Sequence, residues 1–220
     1  MKRMKTKLEN AFYKTLLASL SGSSGSRSSK RTDDLHTHFE KDILKEINHT
    51  PGEYFHERKI KTADGSFNVD IIFENANIQI AILLKSIASS FNKNRKNYAN
   101  TIMGEAFRYL SGYENRRLLH VNYIPTTAPR FNKEGDVLAI ENTKPQDLSY
   151  FYEQINNTFS RKPLEVNFKF EINSLIFENA NTRKEIYENL RRIGPSSIRS
   201  VNSEEQLLHL VNFFNNENSE

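Results

Sequence analysis

The sequence predicts a mixed α/β protein, with a sheet in the middle and helices on its flanks. Three observations predict it. Two apolar runs, FNVDIIF (67–73) and IQIAILL (78–84), flank the short turn ENAN, which is the pattern of a β-hairpin. A third apolar run, RRLLHVNYIP (116–125), carries Leu118, Leu119, Val121 and Ile124 and reads as a strand buried in a sheet core. Around these runs lie segments whose apolar residues recur every three or four positions, the period of a helix. The order helix, hairpin, helix, strand, helix places the sheet between helical layers.

Taken in order, residues 4–20 form an amphipathic helix with Leu8, Phe12, Leu16 and Leu20 at four-residue spacing. The Ser/Gly stretch 21–32 reads as a flexible linker bearing three cations. A helix is expected from Asp34 to Asn48, with Leu35, Phe39, Ile43 and Ile47 as its stripe, Asp33 or Thr32 as N-cap and Pro51-Gly52 as its stop. A strand near Tyr54–Thr62 leads through ADGS into the hairpin. SIASSFNKNRKN (86–97) is read as an irregular basic loop, and a helix follows over Tyr98–Leu110, closed by Ser111-Gly112. Beyond the 116–125 strand come a loop at 126–135, the short apolar run DVLAIE and a helix over about 145–159 with Leu148, Phe151, Tyr152 and Ile155 on one face. VNFKFEI (166–172) alternates like an exposed-edge strand, and helices follow over Thr182–Ile193 and Glu204–Phe214, the latter with Ser203 as N-cap and Gln206 at N3. Residues 1–32 are set apart as a basic N-terminal helix and linker, and 33–220 as one α/β domain.

Composition excludes several classes. At 37% hydrophobic and 26% charged residues the chain suits a water-soluble fold, and no run approaches the ~20 apolar residues of a membrane span. There is no cysteine, hence no disulfide and no thiolate zinc site, which fits a reducing cytoplasm. His36-x-His38 places two rings on different helix faces, so zinc spacing is absent as well. The net charge of +4 is unevenly spread. Residues 1–32 hold eight Lys/Arg against Glu9 alone, leaving the remainder mildly acidic. A basic front of this kind suits contact with nucleic-acid backbone.

The chemistry centres on the hairpin. Side chains alternate along a strand, so pairing Phe73 with Ile78 would set Asp70 opposite Ala81 and Asn68 opposite Leu83. Asp70, Gln79, Ala81, Leu83 and Lys85 would then share one face. An acid among Val and Ile, near a Lys that ends the next strand, is the kind of cluster that phosphodiester hydrolysis uses, with hard oxygen ligands for a divalent ion and a cation for phosphate charge.

On these residues the hairpin resembles the PD-(D/E)XK nuclease superfamily, and the stretch NKNRKNYANTIMGEAFRYL with the strand after it resembles the helix-and-strand half of its type II restriction endonuclease-like members. The resemblance spans roughly residues 34–142. It implies a restriction-endonuclease-like mixed central sheet flanked by helices, with Asp70 as metal-binding Asp and Lys85 as motif Lys. The motif Glu position is Leu83, a departure. Either the site is weakened, in which case a Glu restored at position 83 would raise cleavage, or the carboxylate is relocated to the following helix at Glu105. Glu40, on the first helix of the resemblance, is where many members place an accessory metal-site Glu. The resemblance further implies Mg2+ as cofactor, double-stranded DNA as partner and substrate, and a homodimer. DNA contacts are expected from Lys93, Asn94, Arg95, Lys96, Asn97 and Asn100, and from Arg130 and Lys133. The alternative is a catalytically silent DNA- or partner-binding module of the same fold.

Overall fold

The computed structural model describes residues 2–22, 33–62, 64–143, 157 and 163–217. Helix α1 spans Lys2–Leu20. The second helix, α2, begins at Asp33–His38, continues as a π-helical stretch over Phe39–Leu44 and ends with Lys45–Ile47. The wider π turn brings the adjacent pairs Phe39/Glu40 and Ile43/Leu44 all to the buried side. Gly52 follows, and no other residue fits there: an added Cβ would lie 2.5 Å from the Phe73 ring and 2.8 Å from the Glu74 carbonyl.

Strands β1 (Glu53–Thr62), β2 (Gly65–Glu74) and β3 (Gln79–Ser86) form an antiparallel meander. Helix α3 (Phe91–Leu110) then crosses over to β4 (Arg116–Pro125), which lies parallel to β3 as such a crossover allows. A two-stranded ribbon, β5 (Thr127–Phe131) with β6 (Val137–Asn142), stands apart. Strand β7 (Leu164–Ile172) pairs parallel to β4, and β8 (Ile198–Ser200) pairs antiparallel to β7. The six-stranded sheet therefore runs β1-β2-β3-β4-β7-β8. Helices α4 (Arg183–Ile193) and α5 (Ser203–Glu217) complete the described chain. The mixed α/β class with a central sheet is as the sequence predicts. The expected helix over 145–159 and most of the linker lie outside the described residues.

Both faces of the sheet are covered. On one, α1, α2, α4 and α5 bury Leu8, Phe12, Leu35, Phe39, Leu190, Leu207 and Phe214 against Ile71, Phe73, Ile82, Val121, Phe168 and Phe170. On the other, α3 lays Ile102, Ala106 and Tyr109 over Ala81, Leu83, Leu118 and Ile124. Helix α1 thus shares a core with α2, α4 and α5.

Two local expectations change. The hairpin register is shifted by two, with Phe73 opposite Ile80 and Ile72 opposite Ala81. The cause is Asn75, whose side-chain oxygen accepts the N–H groups of Asn77 and Ile78 and widens the turn. A shift of two preserves facing over Ile71–Phe73, but Val69 packs with Ile72 on the α3 side, opposite Ile71 and Phe73, so the alternation breaks at Asp70. The region read as a loop up to Asn97 is helical from Phe91, anchored by the buried Phe91 and Ala99.

Candidate active site

Strands β2 and β3 stop pairing at Ile71 and Ile82, while β3 continues beside β4 as far as Ser86 and Tyr123. The sheet forks there, and Asp70 sits at the fork. Its carboxylate oxygen Oδ2 accepts the Leu84 N–H at 2.7 Å, replacing the ladder bond that the fork removes. Across on β1 the register places Glu57 opposite Asp70, between the pairs His56/Ile71 and Arg58/Val69, and Glu57 has φ of 47°. A left-handed non-glycine residue within a strand is strained, and such strain collects at functional sites.

Lys85 and Glu105 meet beside this fork. Lys85 Nζ donates to Glu105 Oε1 at 2.9 Å, joining β3 to α3. Glu105 Oε2 is buried and has no hydrogen-bond partner among the described residues. Burial works to lower Lys85, but the negative charges of Glu105 and Asp70 outweigh it and hold the ammonium above its ordinary value. Lys85 is therefore a cation at neutral pH and not a base. Burial also governs Glu105 and pushes its carboxyl up; the neighbouring Lys85 opposes this and the charge of Asp70 adds to it.

The sequence-predicted residues divide into those brought together and those not. Asp70, Lys85 and Glu105 form one electrostatically coupled group. Leu83 does not face an open site. It is 1% exposed and packed beneath α3 with Ile102 and Ala106. Glu40 stands away from this group: its Oε1 pairs with Lys45 at 2.7 Å and its Oε2 with His56. Burial would raise Glu40, yet its bonds to the Lys45 ammonium and the His56 ring hold it below the usual carboxylate range. Lys93, Lys96, Asn97 and Asn100 are exposed along α3, Asn94 is half-buried, and Arg95 lies on the same helix. Arg130 pairs with Glu141 at 3.1 Å, and Lys133 is exposed in the ribbon turn. The ribbon lies against the start of α3, where the Ser90 N–H donates to the Pro129 carbonyl.

Sequence reasoning missed four residues. His36 of α2 is buried, with Nε2 at 4.0 Å from Asp70 Oδ2. Asn122 lies beside Lys85 in the β3–β4 register and donates to Asn167 Oδ1 at 2.8 Å, while Asn167 donates to Glu165 Oε1 at 2.5 Å. The signal for these last three was an amide or acid at alternate positions of otherwise apolar strands. For His36 no local signal existed.

Among the described residues no group of three or more His, Asp or Glu side chains could hold a metal ion. Mg2+, however, takes one or two carboxylates and fills its remaining positions with water and phosphate. Asp70 and the unpartnered Glu105 Oε2 are hard oxygen donors of that kind and number, so the residues fit. Also among the described residues, no helix is long and apolar enough to cross a membrane. The chain matches no protein-family model, no curated protein and no solved structure.

Proposed function

We propose that this chain is a restriction-endonuclease-like protein that binds double-stranded DNA and hydrolyses its phosphodiesters with Mg2+. The observation that carries the reading is the fork: Asp70, Lys85 and Glu105 come from β2, β3 and α3 to one half-buried group. In this reading the motif carboxylate has moved from strand to helix, and Glu105 does what Leu83 cannot. Asp70 and Glu105 would hold the ion, which supplies Lewis-acid polarisation of the phosphate and a more acidic bound water. Lys85, charged at neutral pH, stabilises the charge that builds on the phosphate oxygens. Lys93, Lys96, Asn97 and Asn100 on the exposed side of α3 take the DNA backbone and base edges, with Lys133 on the ribbon beside them. Cutting both strands of a symmetric site calls for a two-fold pair of chains.

A second reading is a catalytically silent DNA-binding module of the same fold, favoured by the apolar burial of Leu83 and by the lack of a third acidic ligand among the described residues. One experiment separates them. The purified chain is incubated with genomic DNA and Mg2+, and discrete fragments are expected. Asp70→Asn and Glu105→Gln should each lower the cleavage rate by about 100-fold or more while leaving duplex binding in EDTA intact. Binding without cleavage favours the silent module. No binding to any duplex at low salt removes both.

A further inference from the structure

The two groups assigned to cation and ion-holding roles are bonded to each other. Lys85 Nζ occupies Glu105 Oε1 at 2.9 Å, and Asp70 acts on the same ammonium electrostatically. Two carboxylates drawn into a half-buried space repel each other, and Lys85 is the cation that allows them to coexist there. We propose that the Lys85 ammonium is the resident cation of this site, and that a divalent metal ion entering it displaces the ammonium from Glu105 and frees Lys85 to face the substrate phosphate. The inference rests on the nuclease reading and adds an order of events to it.

Three features support the exchange. Glu105 offers one oxygen to Lys85 and keeps the other buried without a partner, so its carboxylate is only half satisfied by the ammonium. Asp70 Oδ2 is fixed by the Leu84 N–H, so the acid on the strand side stays in place when the counter-ion changes. The Lys side chain is a compact charge on a flexible four-carbon stem, able to swing away without disturbing β3. An ammonium and a dication sharing one carboxylate at this half-buried position repel, so the two occupy Glu105 in turn. Lys85 is then unavailable to phosphate until the ion is seated.

The test uses the full chain without DNA and Mn2+ as the probe, with free Mn2+ followed by electron paramagnetic resonance. Lys85→Met keeps the length and removes the charge, and it should tighten Mn2+ binding by about tenfold or more. Lys85→Arg keeps the charge and should not tighten it, and Glu105→Gln should weaken binding in either background. Because Lys85→Met leaves two carboxylates uncompensated, its Tm should fall without metal and rise more steeply with added Mn2+ than that of the unaltered chain. In the unaltered chain, NMR of the Lys85 side-chain nitrogen should shift when Mg2+ is added. Affinity that is unchanged or weaker in Lys85→Met, no Mn2+ binding by either form, or an unmoved Lys85 signal overturns the exchange. Metal binding with the expected tightening but no DNA cleavage would instead sink the nuclease reading and leave the exchange standing.

Discussion

Glu165 sits at the end of the amide row that starts beside Lys85, and its environment makes it sensitive to pH. Burial pushes its carboxyl up to about 7, against the pull of the Asn167 hydrogen bond and the Lys169 charge. Between its ordinary value of 4.5 and about 7 the folded chain keeps a proton that the unfolded chain has released. Stability from this group is therefore fully present below 4.5 and is lost as pH rises towards 7. Glu165→Gln keeps the acceptor for Asn167 and removes the charge. It should be more stable than the unaltered chain in urea unfolding at pH 8, with the difference closing towards pH 4.5; a pH-independent difference would argue against this account. Residues of this kind are half legible. Asp70 and Lys85 could be found because a charge inside an apolar strand is a local anomaly. His36 and the pairing of Glu40 with His56 depend on chain segments that meet only in the folded sheet.

Helix α3 shows both what an element's sequence reveals and what it hides. Its C-terminal turns, with Ile102, Ala106 and Leu110 in period, are plain in the sequence. Its first two turns are rich in Asn, which has low helix propensity, and read as loop, yet the buried Phe91 and the crossover to β4 hold them helical. The same packing changes the meaning of Leu83. A vacant motif position invites the thought that Leu83→Glu would restore activity. Under α3, that carboxylate would be buried among Ile102, Ala106 and Leu118 without a cation of its own. We predict instead that Leu83→Glu destabilises the chain by about 3–5 kcal/mol and does not raise cleavage. A lowered urea midpoint with flat activity is the expected result; a stable and more active variant would return the carboxylate to the strand. The hairpin itself was legible in its strands, though not in the face of Val69, which packs on the α3 side away from Ile71 and Phe73, nor in its register, because Asn75 closes the turn with its side chain and not with the backbone alone.

Across the whole molecule the cations do not serve one purpose. Lys7 of α1 bridges Asp42 and Glu46 of α2, both at 2.9 Å, and is part of the helix packing. Lys93 and Lys96 face solvent on the side proposed for DNA. Replacing both by Ala should weaken duplex binding similarly on all sequences and reduce the slope of log affinity against log salt by about 2, measured by fluorescence anisotropy. An unchanged slope would place the DNA elsewhere. The basic character of residues 1–32 was legible from composition, but the place of α1 was not, since beside its contacts with α2 it packs against the far end of the chain. The Ser200 N–H donates to Glu9 Oε1 at 2.9 Å across 191 positions, and Leu8 and Phe12 share a core with Ile198 and Leu207. During synthesis, at about 5–20 residues per second, the apolar stripe of α1 thus waits roughly 10–40 s for its partners. The fork bearing Asp70 and Lys85 is translated early, but the layer behind it closes only when α5 leaves the ribosome. Synthesis of β8 and α5 is in this way the step the fork waits for, and a chain stalled before residue 198 carries the candidate residues on an unfinished scaffold.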